Sequence, residues 1–163
     1  MNGFFAAGVL VLTASAVWAQ RPQSQPEVNS STVVFVCEHG SARSVIAAAH
    51  FNRMAAQKGL PYRAVSRGKS PDDTIPASIK DALAADGMDI STWKPKALSE
   101  ADMQKAAKVV TLAVDLPAAR TAASGRLVEW NDVPSMSQSY DTVRKVIVQH
   151  VNELVDKLAA KPE

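Results

Sequence analysis

The chain has 163 residues, 47% of them apolar and 21% charged, with 18 basic and 16 acidic side chains for a formal net charge of +2. That length is one domain with enough chain to bury a core, and the apolar fraction excludes a disordered protein. Near-balanced charge without a like-charge run argues against nucleic acid or a polybasic membrane patch as partner, and a single cysteine excludes an internal disulfide scaffold.

No side chain from Met1 to Ala19 is charged. The apolar stretch Phe4 to Leu12 leads into Thr13-Ala14-Ser15-Ala16, and Val17-Trp18-Ala19 fits the pattern of a secretory cleavage site before Gln20. The usual basic residue near the start is missing. The apolar run is nevertheless shorter than the ~20 residues of a spanning helix. Residues 1–19 are therefore expected to be a signal peptide, and the mature protein to be periplasmic or secreted without stable membrane insertion. Residues 20–31 are rich in Gln, Ser and Pro without apolar period and read as a flexible linker. The folded domain is expected over residues 32–163.

Thr32-Val33-Val34-Phe35-Val36 has the look of a strand buried on both faces. After the segment Cys37 to Arg43, the alanine-rich stretch Ser44 to Lys58 predicts a helix closed by Gly59-Leu60-Pro61. A second strand is expected over Tyr62 to Ser66. Pro76 to Ala85, with Gly87 just beyond, carries helix punctuation. Ser99 with Asp102 three residues on forms a capping-box pattern. Val109 to Val114 predicts another buried strand, Arg126 to Trp130 an edge strand. In the last helix Tyr140, Val143, Ile147, Val151, Leu154 and Leu158 make one apolar stripe. Alternating strands and helices predict an α/β fold: a three-layer open sheet of about four parallel strands with helices on both faces.

Ligands of such sheets bind beyond the carboxyl ends of the strands, at helix N-termini. The first crossing reads Cys37-Glu38-His39-Gly40-Ser41-Ala42-Arg43-Ser44. Wrapped into a loop, its successive N–H groups would form an anion nest, and Arg43 would present a planar fork to two oxygens of a tetrahedral oxyanion. Cys37 would lie at the base of the nest, where the helix dipole and the guanidinium favour the thiolate. Ser44 is placed to donate to that thiolate, and Gly40 to take the positive φ of a tight loop. The oxyanion is thus expected to be bound by Glu38, His39, Gly40, Ser41, Ala42 and Ser44 around Cys37 and Arg43.

Cys-x5-Arg-Ser directly after a first buried strand resembles the low-molecular-weight protein tyrosine phosphatases and the arsenate reductases of the same fold. The likeness runs from about Thr32 to Leu158 and includes Ser66-Arg67-Gly68, similar to the family's Ser-x-Gly turn, and the segment Leu98 to Asp102. The resemblance implies metal-free hydrolysis of a phosphomonoester in two steps, with the cysteine taking the phosphoryl group and an aspartate of a late loop acting as acid and then as base. The matching stretch here is Trp130-Asn131-Asp132-Val133-Pro134-Ser135, which makes Asp132 the candidate acid, with Asp141 as fallback. The family commonly has Gly-Asn at His39-Gly40, a second cysteine at Ala42 and aromatic side chains after the acid. Trp130 and Trp93 are the candidates for a wall in their place.

A lone cysteine is often simply buried, but an exported thiol without a use invites oxidation, and Arg43 six residues on favours the oxyanion loop. Three histidines show no paired ligand spacing, so neither metal nor cofactor is expected. His39, inside the loop, is placed to tune the thiolate. Three activities fit this pattern. One is hydrolysis of phosphotyrosine or small aryl phosphates. Another is arsenate reduction with an external thiol, since no further cysteine exists to carry the oxidation. The last is inactive binding of phosphate or arsenate.

Overall fold

A computed structural model describes residues 24–160. The expected signal peptide, its cleavage site and residues 20–23 of the expected linker lie outside them. The sheet has four parallel strands: β1 (Thr32–Cys37), β2 (Arg63–Gly68), β3 (Lys108–Leu112) and β4 (Leu127–Trp130), in the spatial order β2-β1-β3-β4. Helices α1 (Arg43–Gln57), α2 (Ala77–Ala85), α3 (Glu100–Lys105), α4 (Pro117–Ala122) and α5 (Tyr140–Ala159) connect and cover them. The α/β architecture read from the sequence is the observed one.

Strand β1 is buried throughout, and its alternation assigns each residue to a side. Val33, Phe35 and Cys37 join one core with Ile46 and Phe51 of α1, Leu83 of α2 and Ile147, Val151 and Leu154 of α5. Val34 and Val36 join the other, with Val65, Val109, Ala106 and Ala123. Phe35 meets the Phe51 ring edge-on at 5.7 Å and the Trp130 ring at 5.5 Å. The apolar stripe of α5 is buried from Val143 to Leu158, with Val155 added to the residues named above.

The outer edge of β2 is closed without a fifth strand. The Asn52 side chain pairs with both backbone groups of Ala64, and the Gln25 side chain accepts from Ser66 N–H at 2.8 Å and donates to its hydroxyl at 2.9 Å. Gly68 N–H then donates to the Lys96 carbonyl, and Leu98 N–H to that of Gly68. Gln25 belongs to the stretch read as a linker, whose described part thus makes specific bonds with the domain.

The capping box at Ser99 and Asp102 is formed in both directions. Asp102 also takes the Arg67 guanidinium at 2.9 Å, with both side chains largely buried. Burial alone pushes this carboxyl up, but hydrogen bonds from Arg67 and Ser99 outweigh it and hold the group below the ordinary carboxylate range. The structure differs from the sequence reading in several places. Ser66-Arg67-Gly68 continues β2 instead of turning away from it. Strand β3 ends at Leu112 because Ala113 has φ +47°, outside any strand conformation. Helix α4, a single short stretch opened by Pro117, was too brief to show an apolar period.

Buried His50 gives the fold a testable pH dependence. The side chain is 1% exposed, its Nε2 has no hydrogen-bond partner among the described residues and lies 3.8 Å from Asp86, and its Nδ1 lies 3.5 Å from Arg53. Burial first, then the Arg53 and Arg144 charges, push its pKa down to about 4 against the pull of Asp86. The unfolded chain therefore binds the extra proton first. The stability contributed is complete above about pH 6.5 and lost as pH falls towards 4, about 3 kcal/mol in all. Urea midpoints across that range should fall more steeply for the parent protein than for His50→Leu; equal slopes would mean that the imidazole is not held neutral.

Candidate active site

Cys37 is the last residue of β1 and Arg43 the first of α1, so the loop between them bridges a strand end and a helix N-terminus. Its backbone is sorted by polarity. The carbonyls of Cys37, Glu38 and His39 face outward and accept from the N–H groups of Lys69, Ser70 and Asp72 at 3.1, 2.8 and 3.0 Å. None of the N–H groups from Glu38 to Ser44 donates to an acceptor among the described residues. Unpaired amides in sequence, joined to a helix N-terminus, form the concavity that suits an anion.

The loop is locked to the end of β2 by two glycines. Gly40 has φ +63°, and a Cβ there would stand 2.7 Å from Gly68 N. A Cβ on Gly68 would in turn meet Gly40 N at 2.9 Å. Asp72 fastens the rim: it accepts the Ser41 hydroxyl at 2.5 Å and lies 3.4 Å from Nδ1 of His39.

Cys37 is 3% exposed, and its Sγ lies 3.2 Å from Ser44 Oγ. As a thiol it donates to that oxygen; as a thiolate it accepts from it. Arg43 has no ion-pair partner among the described residues. A cavity of about 300 Å³ opens over the loop, walled by Cys37, Glu38, His39, Ser41, Ala42 and Arg43 and by Ser135 and Met136 from the segment after β4. The sequence-predicted nucleophile and guanidinium thus share one cavity. A larger one, about 400 Å³, lies along the C-terminal half of α1 near Arg53, Arg63 and Trp93, but no thiol or hydroxyl side chain of the described residues lines it.

Other expected site residues stand elsewhere. Asp132 is exposed and accepts from His150 Nε2 on α5 at 2.8 and 2.9 Å. That hydrogen bond holds its carboxyl below the usual range, opposite to what a proton donor needs, and the cavity wall is Ser135 and Met136 instead. Asp141 is exposed in the first turn of α5 beside Arg144. Neither tryptophan forms the expected wall. Trp130 is buried against Phe35 with His150 stacked on it at 4.9 Å, and Trp93 lines the larger cavity. No motif pointed to Asp72; its position shortly after the Ser-x-Gly segment was the only sequence hint.

The family model for low molecular weight phosphotyrosine protein phosphatase matches residues 32–126. The match contains the whole loop and ends before Asp132. No curated protein matches the chain. Among solved structures, YfkJ from Bacillus subtilis is 19% identical with a TM-score of 0.71, covering 85% of this chain and 99% of that one. An arsenate reductase in the phosphate-binding state is 21% identical with a TM-score of 0.65, over 78% and 98%. A low molecular weight protein tyrosine phosphatase from T. tengcongensis is 23% identical with a TM-score of 0.62, over 80% and 99%. At these identities the likeness is one of fold.

Proposed function

The chain belongs to the low molecular weight phosphotyrosine protein phosphatase family, and from that premise we propose that it hydrolyses phosphomonoesters, phosphotyrosine or small aryl phosphates, through a cysteinyl phosphate on Cys37. The observation that carries this reading is the row of unpaired N–H groups from Glu38 to Ser44, closed by Arg43 around one sulfur. The amides and the Arg43 fork take the non-bridging oxygens and hold phosphorus in front of Sγ. Attack forms the S–P bond and breaks the ester P–O bond. Ser44, at 3.2 Å, steadies the negative sulfur before attack and again when water displaces it. Asp132, the sequence candidate for the acid, could serve only after giving up the His150 bond. The export expected from residues 1–19 belongs to the same proposal and rests on the sequence.

A second reading has its own support. No phenylalanine, tyrosine or tryptophan among the described residues lines the cavity, so an inorganic oxyanion fits it as well as an aryl ester does. Arsenate reduction there would need an external thiol, since Cys37 is the only cysteine. The experiment is hydrolysis of 4-nitrophenyl phosphate beside arsenite release from arsenate with added thiol. Steady, vanadate-sensitive nitrophenol release is the expected result. Thiol-dependent arsenite release alone would make the protein a reductase, and tight phosphate binding without turnover would make it a binding protein.

A further inference from the structure

We propose that His39, oriented by Asp72, is the proton donor and acceptor of this site; the assignment rests on the phosphatase reading of Cys37. The cavity wall holds the titratable groups Cys37, Glu38, His39 and Arg43. Cys37 is the nucleophile, and a guanidinium does not give up its proton. Glu38 faces the Lys69 ammonium at 4.0 Å and is engaged there. His39 remains, and an imidazole both gives and takes a proton near neutral pH.

Its ring is held from one side. Nδ1 lies 3.4 Å from one Asp72 oxygen, while the other Asp72 oxygen is occupied by the Ser41 hydroxyl and the Asp72 N–H by the His39 carbonyl. Asp72 is therefore fixed by the loop it serves. The carboxylate beside Nδ1 orients the ring so that Nε2 is the nitrogen left to exchange protons. Nε2 has no hydrogen-bond partner among the described residues. In the first step the sulfur forms its bond to phosphorus, the P–O bond breaks, and the imidazolium passes its proton to the departing oxygen. In the second, water attacks phosphorus, the neutral imidazole takes its proton, and the sulfur leaves as thiolate. The cycle returns every charge to its start. His39 is then the catalytic residue and Asp72 its positioning residue, taking the part the sequence assigned to a late-loop carboxylate.

The test compares 4-nitrophenyl phosphate, whose phenolate leaves unprotonated, with phenyl phosphate, whose phenolate needs the proton. In His39→Gln, kcat/KM on phenyl phosphate, which reports the first step alone, should fall about 10²–10³-fold, and the nitrophenyl-to-phenyl ratio of kcat/KM should rise at least about tenfold, as for loss of a general acid. Asp72→Asn should raise the ratio less, and Asp132→Asn should leave it where it was. Vanadate should inhibit His39→Gln at the parent concentration, because the amide nest is intact. An equal loss of kcat/KM on both esters overturns the assignment, as does a raised ratio in Asp132→Asn alone. Failure of the parent protein to hydrolyse either ester is a different result; it removes the phosphatase reading and the role of His39 with it.

Discussion

Cys37→Ser should remove turnover by about 10⁴-fold or more, the scale seen when a covalent nucleophile is lost. The reason lies in the attacking atom. Sulfur is both the stronger nucleophile towards phosphorus and the better leaving group from it, and a serine oxygen in the same place is neither. Everything else in the site should survive the change. The N–H groups from Glu38 to Ser44 belong to the backbone and Arg43 to the helix, so phosphate binding should persist in the variant. Serine is smaller than cysteine and finds Ser44 as a partner, so the fold should lose no more than about 1 kcal/mol. Single-turnover and steady-state assays, with phosphate binding by calorimetry, check both halves. Residual turnover within tenfold of the parent would place the nucleophile elsewhere.

Gly40→Ala should be the most damaging single methyl in the protein. The added Cβ would stand 2.7 Å from Gly68 N, 2.9 Å from Gly68 Cα and 3.0 Å from Arg67 C, all of them backbone atoms of β2. They are fixed by the sheet and by the Lys96 and Leu98 bonds, so the loop must yield. Positive φ adds its own strain, for a total of roughly 2–4 kcal/mol. A displaced loop also loses its anion geometry, and vanadate inhibition should weaken by at least about tenfold, the cost of about 1.4 kcal/mol of misplaced contacts. Gly59→Ala separates the two causes. Its φ is +65°, but nothing lies within 4 Å of the added carbon, so it should cost only about 1 kcal/mol and leave inhibition unchanged. Equal effects at the two positions would mean that the fit between Gly40 and Gly68 is slack.

The parts of the molecule that were legible in the sequence are those whose signal is local. Cys37, Gly40, Arg43 and Ser44 lie within one crossing, so a loop that sets Cys37 beside Ser44 and at one cavity with Arg43 can be read before any fold is known. The buried strand Thr32 to Val36, the capping box at Ser99 and the stripe of α5 are likewise written in neighbouring residues. What the sequence hid depends on contacts between distant positions. Asp132, the candidate acid of the sequence, is bonded to His150 of α5, 18 residues along the chain. Ser135 and Met136 carry no motif, yet they form the wall opposite the loop. Asp72 lies 31 residues from Ser41, and only the β2 connection shows that they meet. Ala113 interrupts an apolar run that has every mark of a longer strand, since a single dihedral leaves no trace in composition.

The closed flank of β2 has a consequence for self-association. A bare flank is a template for another chain, the usual beginning of domain exchange and fibril growth. Here Asn52, Gln25 and residues Lys96 to Leu98 already occupy the positions an incoming segment would need. Gln25 is the vulnerable member, because it reaches the sheet from upstream of the domain. A chain beginning at Gln20 keeps that stopper, whereas proteolytic trimming past residue 25 uncovers Ser66. The trimmed form should then be the one that clouds on storage.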